Sequence, residues 1–217
     1  MEIINLGENK SIFNEFIREI RDIKIQNDSM RFRRNIERIG EVFAYEISKK
    51  MKYKKKKINT PLGISIENIM SENPILATIL RAGLPFHQGF LNYFDKSDNA
   101  FISAYRKQKK GGHFKIEIEY FSYPSLDNKT IILSDPMLAS GSSMILAIKS
   151  ILKKGKPKHI HIASIISSSK GVDFLKRNIP MQNCTLWIGA EDTEMTSKSY
   201  IVPGLGDAGD LAFGKKI

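Results

Sequence analysis

Two hydrophobic periods follow one another along the chain. In residues 11–24, Ile12, Phe13, Phe16, Ile17, Ile20 and Ile23 recur at helical spacing, and Ser11 stands where it can cap the segment. A second helix is predicted from Ser29 to about Met51, with Phe32, Ile36, Ile39, Val42, Phe43 and Ile47 inward and the arginines outward. The lysine-rich stretch 52–57 reads as an exposed linker that ends it. Both helices read as structural. Beyond residue 58 the pattern changes to short apolar runs alternating with helix-compatible segments. Ile75 to Leu80 is nearly continuous in apolar residues, as a strand buried on both faces should be. A helix is expected over about 84–93, a strand over 100–104, another over 130–134, a helix over 142–153, a strand over 159–166, a helix over 170–177 and a strand over 184–188. Such βαβ alternation predicts an α/β fold with a mostly parallel sheet flanked by helices, and ligands outside the carboxyl ends of its strands. Residues 106–128 break the repeat. Lys107 to Gly112 is polar, and Phe114 to Tyr120 alternates with period two, which reads as a projecting, flexible β-arm.

The strand ends carry the chemistry. Arg81, Arg106 and Asp135 each fall just after a predicted strand, which puts all three on one edge of the sheet. After Ile131-Ile132-Leu133, the sequence Asp135-Pro136-Met137-Leu138-Ala139-Ser140-Gly141-Ser142-Ser143 leads into Met144-Ile145-Leu146. A strand that turns through small residues into a helix aims backbone N–H groups at one point, where the helix dipole adds positive potential. Phosphate is the natural ligand of such a loop; a plain strand–helix joint capped by serines is the alternative.

Composition narrows the classes. An apolar fraction of 41% and a charged fraction of 26% describe a soluble globular protein, and the length fits a single domain over 1–217. Neither a membrane-length apolar run nor a secretory leader is present. One cysteine, Cys184, rules out an internal disulfide, and four scattered histidines offer no metal-ligand spacing. A reducing cytoplasm is the expected setting. The net charge of +11 comes largely from local lysine clusters without interleaved aromatics, so solvated lysine or steering of an anionic small molecule is expected, and nucleic acid is not.

Gly204-Leu205-Gly206-Asp207-Ala208-Gly209 spells a dinucleotide-binding pattern, but Pro203 precedes it and only eight residues follow, so no βαβ unit fits. Three glycines, a proline and two carboxylates over 200–210 predict instead a tight loop with exposed backbone donors and acceptors, able to read the edge of a planar base or to serve as a plain turn.

Taken together, Asp135 to Ser143 and Tyr200 to Asp210, with Leu80-Arg81-Ala82-Gly83 and Tyr105-Arg106 in order, resemble the uracil phosphoribosyltransferases, of the type I phosphoribosyltransferase fold. The resemblance spans roughly residues 10–214. It implies an enzyme, a pentosyltransferase of pyrimidine salvage that joins uracil to the ribose of 5-phosphoribosyl-1-pyrophosphate (PRPP), giving UMP and pyrophosphate. By resemblance Ala139, Ser140, Gly141, Ser142 and Ser143 hold the 5′-phosphate, with Pro136, Met137 and Leu138 in the same PRPP loop. Asp135 faces the ribose hydroxyls, Arg81 and Arg106 bind pyrophosphate, and Asp207 acts on PRPP through Mg²⁺-bound water, with no metal held by the protein itself. Arg106 and Asp207 are the implied catalytic residues. Tyr200 flanks the base, and Ile201, Gly206, Asp207 and Ala208 read uracil in a C-terminal hood over 198–217. The N-terminal helices occupy 1–57. The resemblance also implies a homodimer or larger assembly, and it makes GTP a candidate effector.

Ser134 beside Asp135 is the single-acid form usual in that family. Ser140 and Ser142 stand where relatives commonly carry Thr and Gly, and Leu211 where they usually carry Arg. The competing class is a non-catalytic regulator that binds nucleotide or RNA on the same fold, favoured by the net charge and Leu211.

Overall fold

The computed structural model describes residues 1–108, 114–179 and 181–215, with the side chains of 105–117 and 181 outside the description. One sheet organises the chain. Its parallel strands are β1 (Glu2–Asn5), β4 (Ile75–Leu80), β5 (Asn99–Gln108), β7 (Thr130–Ser134), β9 (His159–Ser168) and β10 (Cys184–Asp192), in the order β1-β10-β9-β7-β4-β5. Outside β5 lies the antiparallel β6 (Phe114–Ser122), and β8 (Met137–Leu138) extends the pairing to the end of β9. The helices are α1 (Ile12–Arg21), α2 (Ser29–Ser48), α3 (Gly83–Leu91), α4 (Ser142–Lys154), α5 (Ser169–Asn178) and α6 (Ala208–Phe213).

Both faces of the sheet are covered, which explains the continuous apolar runs. Alternate residues of one strand serve opposite cores. Leu76 and Ile132 pack with α1, α2 and α3, whereas Ile75, Ala77, Ile131 and Leu133 pack with α4 and α5. On the first face Phe13, Phe43, Phe86 and Phe90 form a chain of ring contacts from α1 through α2 into α3, with centroids 6.0, 5.1 and 5.1 Å apart. Ile201, Leu205, Ala208 and Ala212 join this same core and seat the C-terminal segment on it.

The order of strands has one reversal. From β4 the chain passes through α3 to β5 on one side, and from β7 through α4 to β9 on the other. β4 and β7 are neighbours, with Thr78 opposite Ser134, so the crevice of an open α/β sheet falls between their carboxyl ends.

Several elements differ from the expectation. Residues 52–57 are not a linker: β2 (Tyr53–Thr60) and β3 (Gly63–Met70) form an antiparallel hairpin. Leu62, Ile64 and Ile66 alternate with small or polar residues yet stay exposed, and the lysine run of β2 shows no such alternation, so the hairpin buries no face. The 1–57 region therefore holds β1 and β2 as well as two helices. β5 runs on through Arg106 because β6 pairs with it as far as Gln108, so Arg106 lies within the strand rather than after it. That pairing is the expected β-arm; residues 109–113, which follow β5 in sequence, are outside the described residues. β10 continues to Asp192, four residues beyond the predicted end. Among the described residues no helix is long and apolar enough to cross a membrane.

Candidate functional site

The crevice begins with a seam between β4 and β7. Thr78 Oγ1 donates to the Ser134 carbonyl and Ser134 Oγ donates to the Ala77 carbonyl, both at 3.2 Å and both buried. This reciprocal pair fixes where the two strands end. Arg81 leaves β4 and Asp135 leaves β7 immediately beyond it.

Asp135 is held by its own turn. Its N–H donates to the Ala163 carbonyl at 3.1 Å, and its Oδ1 accepts from the Met137 N–H at 3.2 Å. The Pro136 carbonyl accepts from the Ile165 and Ile166 N–H groups at 3.1 and 3.0 Å, which ties the loop to β9. Burial pushes the Asp135 carboxyl up to about 7, partly opposed by the Met137 N–H. A carboxylate kept this short of partners is ready to accept hydroxyl or hydrated-cation donors.

The small-residue loop ends at Gly141, the N-cap of α4, whose φ of +78° suits glycine. The N-cap Gly141 has no side chain to cap this helix, and apart from one long contact at Ser142 the first-turn N–H groups of a 13-residue helix have no capping side-chain oxygen among the described residues. The Ser142 side chain does not spoil the loop. Its hydroxyl lies 3.1 Å from Ser140 Oγ, and its N–H donates weakly to the same oxygen at 3.4 Å. Ser143 follows in the first turn. From behind, Ser168 Oγ donates to the Ala139 carbonyl at 2.6 Å and accepts from the Gly171 N–H at 2.9 Å, so α5 braces the loop. Sequence reasoning missed Ser168, which looks like any residue of a Ser-Ser-Ser run.

Arg81 lies 40% exposed and reaches across to the C-terminal segment, donating to Asp210 Oδ1 at 3.5 Å and to the Gly214 carbonyl at 3.3 Å. The crevice and the 200–210 stretch are therefore one site. That stretch is more ordered than a loop: β12 (Ile201–Val202) pairs with β11 (Glu194–Met195), and Asp207 caps α6 by accepting from the Asp210 N–H at 3.0 Å. The glycine pattern at 204–209 thus opens a six-residue helix, and what leads into it is the two-residue antiparallel β12 rather than the parallel strand of a βαβ unit that a dinucleotide site requires. The Thr196 N–H donates to the Tyr200 carbonyl at 2.8 Å, which makes Met195 and Ile201 a non-hydrogen-bonded pair of the ladder. The N–H and C=O of buried Ile201 consequently point away from β11. Tyr200 is exposed, Gly206 is exposed and Ala208 is buried. Leu211 packs against the hydrophobic core, and Arg33 of α2 donates to the neighbouring Ala212 carbonyl at 2.7 Å.

Of the residues singled out in sequence, Arg81, Asp135, the 136–143 loop and the 200–210 stretch come together. The Arg106 side chain lies outside the described residues, although its backbone sits in β5, which neighbours β4. Among the described residues no group of three His, Cys, Asp or Glu is placed to hold a metal ion.

Residues 9–215 match the model of the family described as uracil phosphoribosyltransferase. A Porphyromonas gingivalis protein of that name is 58% identical over 217 residues, covering 100% of both chains. One from Methanothermobacter thermautotrophicus is 38% identical over 87% of this chain and 86% of its own. A solved structure from Aquifex aeolicus superposes with a TM-score of 0.86 at 26% identity, covering 98% of each chain. A Staphylococcus aureus hypoxanthine phosphoribosyltransferase, 12% identical with a TM-score of 0.51 over 74% of each chain, shares the fold. The α/β sheet flanked by helices is thus the type I phosphoribosyltransferase fold, and the chain belongs to the uracil phosphoribosyltransferase family.

Proposed function

We propose that this pentosyltransferase acts as one unit over 1–217, transferring the 5-phosphoribosyl group of PRPP to uracil and releasing UMP and pyrophosphate. N1 of uracil bonds to C1 of the ribose as the C1–oxygen bond to pyrophosphate breaks, and the N1 proton leaves. The convergence at the β4–β7 crevice carries the reading. An uncapped helix N-terminus, a lone carboxylate and an arginine tied to a segment with an unpaired peptide stand on one edge of the sheet.

The roles follow from charge and hydrogen bonding. The amides of Ala139 to Ser143 take the 5′-phosphate, flanked by Pro136, Met137 and Leu138, and Asp135 accepts from the ribose hydroxyls. Arg81 and Arg106 neutralise the leaving pyrophosphate through their forked donors. The Ile201 carbonyl takes the uracil N3–H, while N–H groups at Gly206 and Ala208 meet its carbonyl oxygens and Tyr200 flanks the ring. Cytosine at that edge would oppose donor to donor and leave buried groups unpaired. The carboxylates of Asp135 and Asp207 are hard oxygen donors that suit a hydrated Mg²⁺ carried by PRPP. When bound, that ion offsets charge on the departing pyrophosphate. We further infer a cytoplasmic homodimer or larger assembly, with GTP as a candidate effector.

Purified protein incubated with Mg²⁺, PRPP and labelled uracil should form UMP. No UMP above a protein-free blank would sink the proposal.

A further inference from the structure

The base-reading segment is gripped from outside the sequence motifs. Arg21, the last residue of α1, and Asp192, the last residue of β10, form a bidentate pair with N–O distances of 2.8 and 3.0 Å. Their side chains are 22% and 8% exposed. Both partners also hold Gly204. Asp192 Oδ2 accepts from the Gly204 N–H at 2.9 Å, and the Arg21 Nη1 that binds this same oxygen donates to the Gly204 carbonyl at 3.0 Å. One peptide unit after another in a buried turn is thereby satisfied by charge rather than by backbone.

Gly204 is coupled in turn to the carbonyl that faces the base. At its φ of +54° a Cβ would lie 2.2 Å from the Ile201 carbonyl oxygen, so the two backbone units are in direct contact. A shift of Gly204 must shift that carbonyl or collide with it. Packing alone does not require the ion pair, since α1 already buries Phe13 and Ile20 completely or nearly so. Withdrawing two charges from water costs free energy that a simple helix anchor would not need to spend.

We infer that Arg21 and Asp192 are positioning residues for uracil, fixing Gly204 and through it the direction of the Ile201 carbonyl. The inference rests on the proposed reaction and makes α1 part of base recognition. Arg21→Gln should raise KM for uracil about tenfold, the scale of one lost charged hydrogen bond, while KM for PRPP and kcat at saturating uracil stay within about threefold. Arg21→Lys keeps the charge but lacks the fork that spans Asp192 and Gly204, so its uracil KM should fall between the two. Asp192→Asn, which retains an acceptor for the Gly204 N–H, should behave as Arg21→Gln does and serves where that variant fails to fold. Thermal melts accompany each assay. An unchanged uracil KM overturns the inference, as does a parallel rise of both KM values. Absence of UMP from the wild-type chain overturns the reaction and the inference together; normal wild-type turnover with either failure above overturns the inference alone.

Discussion

Replacing Asp135 by Asn separates the electrostatic cost of this site from its packing. In the ligand-free protein burial takes the Asp135 carboxyl from 3.8 to about 7. The unfolded chain releases that proton near the lower value. Between these limits the folded protein holds a proton that the unfolded chain has lost, so stability falls as pH rises through the window and levels off above it. Below the window the carboxyl is neutral in both states and costs nothing. A shift of about three units, at about 1.4 kcal/mol each, sets a ceiling of about 4 kcal/mol. The side chain is only half-buried, and solvent screening reduces the expected cost to about 2 kcal/mol. Asparagine keeps an acceptor for the Met137 N–H but does not titrate. Because screening narrows the window in proportion, urea unfolding of both ligand-free proteins at about pH 4 and about pH 8 is needed to span most of it, and the difference should move by about 1.5 kcal/mol in favour of asparagine. Subtracting the two proteins cancels the other titrating groups. Parallel stabilities, or a wild type that gains on asparagine with rising pH, would refute the assignment of this cost to Asp135.

Two further substitutions separate loop from base. Asp207→Asn keeps an N-cap of equal quality on α6, so the melt should hold while kcat drops by about a hundredfold or more; near-normal turnover would remove Asp207 from the mechanism. Ser168→Ala removes both the donor to Ala139 and the cap of α5, which should cost about 1–2 kcal/mol in urea unfolding and raise KM for PRPP severalfold with KM for uracil unchanged. An equal rise in the uracil value would show that Ser168 supports the fold at large rather than the loop.

The central strands and their edge were legible because burial on both faces writes itself into composition. Ile75 to Leu80 and Thr130 to Ser134 carry no charged residue, and Arg81 and Asp135 stand out as the first charges after them. Elements that bury little leave no such trace. The β2–β3 hairpin is solvated on both faces, β1 is four residues on the sheet edge, and α6 is too short for a period to register. The Arg21–Asp192 contact was invisible for another reason. Its partners stand 171 residues apart, each at the end of an unremarkable element, and only the folded chain brings them to Gly204.

The Thr78–Ser134 seam bears on attempts to re-engineer this active site. By the family resemblance, relatives of other base specificity usually carry two adjacent acids here, and Ser134→Asp is one of the two single substitutions that would set a second acid beside Asp135, the other being at Pro136. Position 134 is 1% exposed, and its side chain points at the Ala77 carbonyl oxygen. A carboxylate there would meet another acceptor in a dry seam. Conversion through position 134 therefore demands a rebuilt junction between two strands, which a change in the loop alone does not supply.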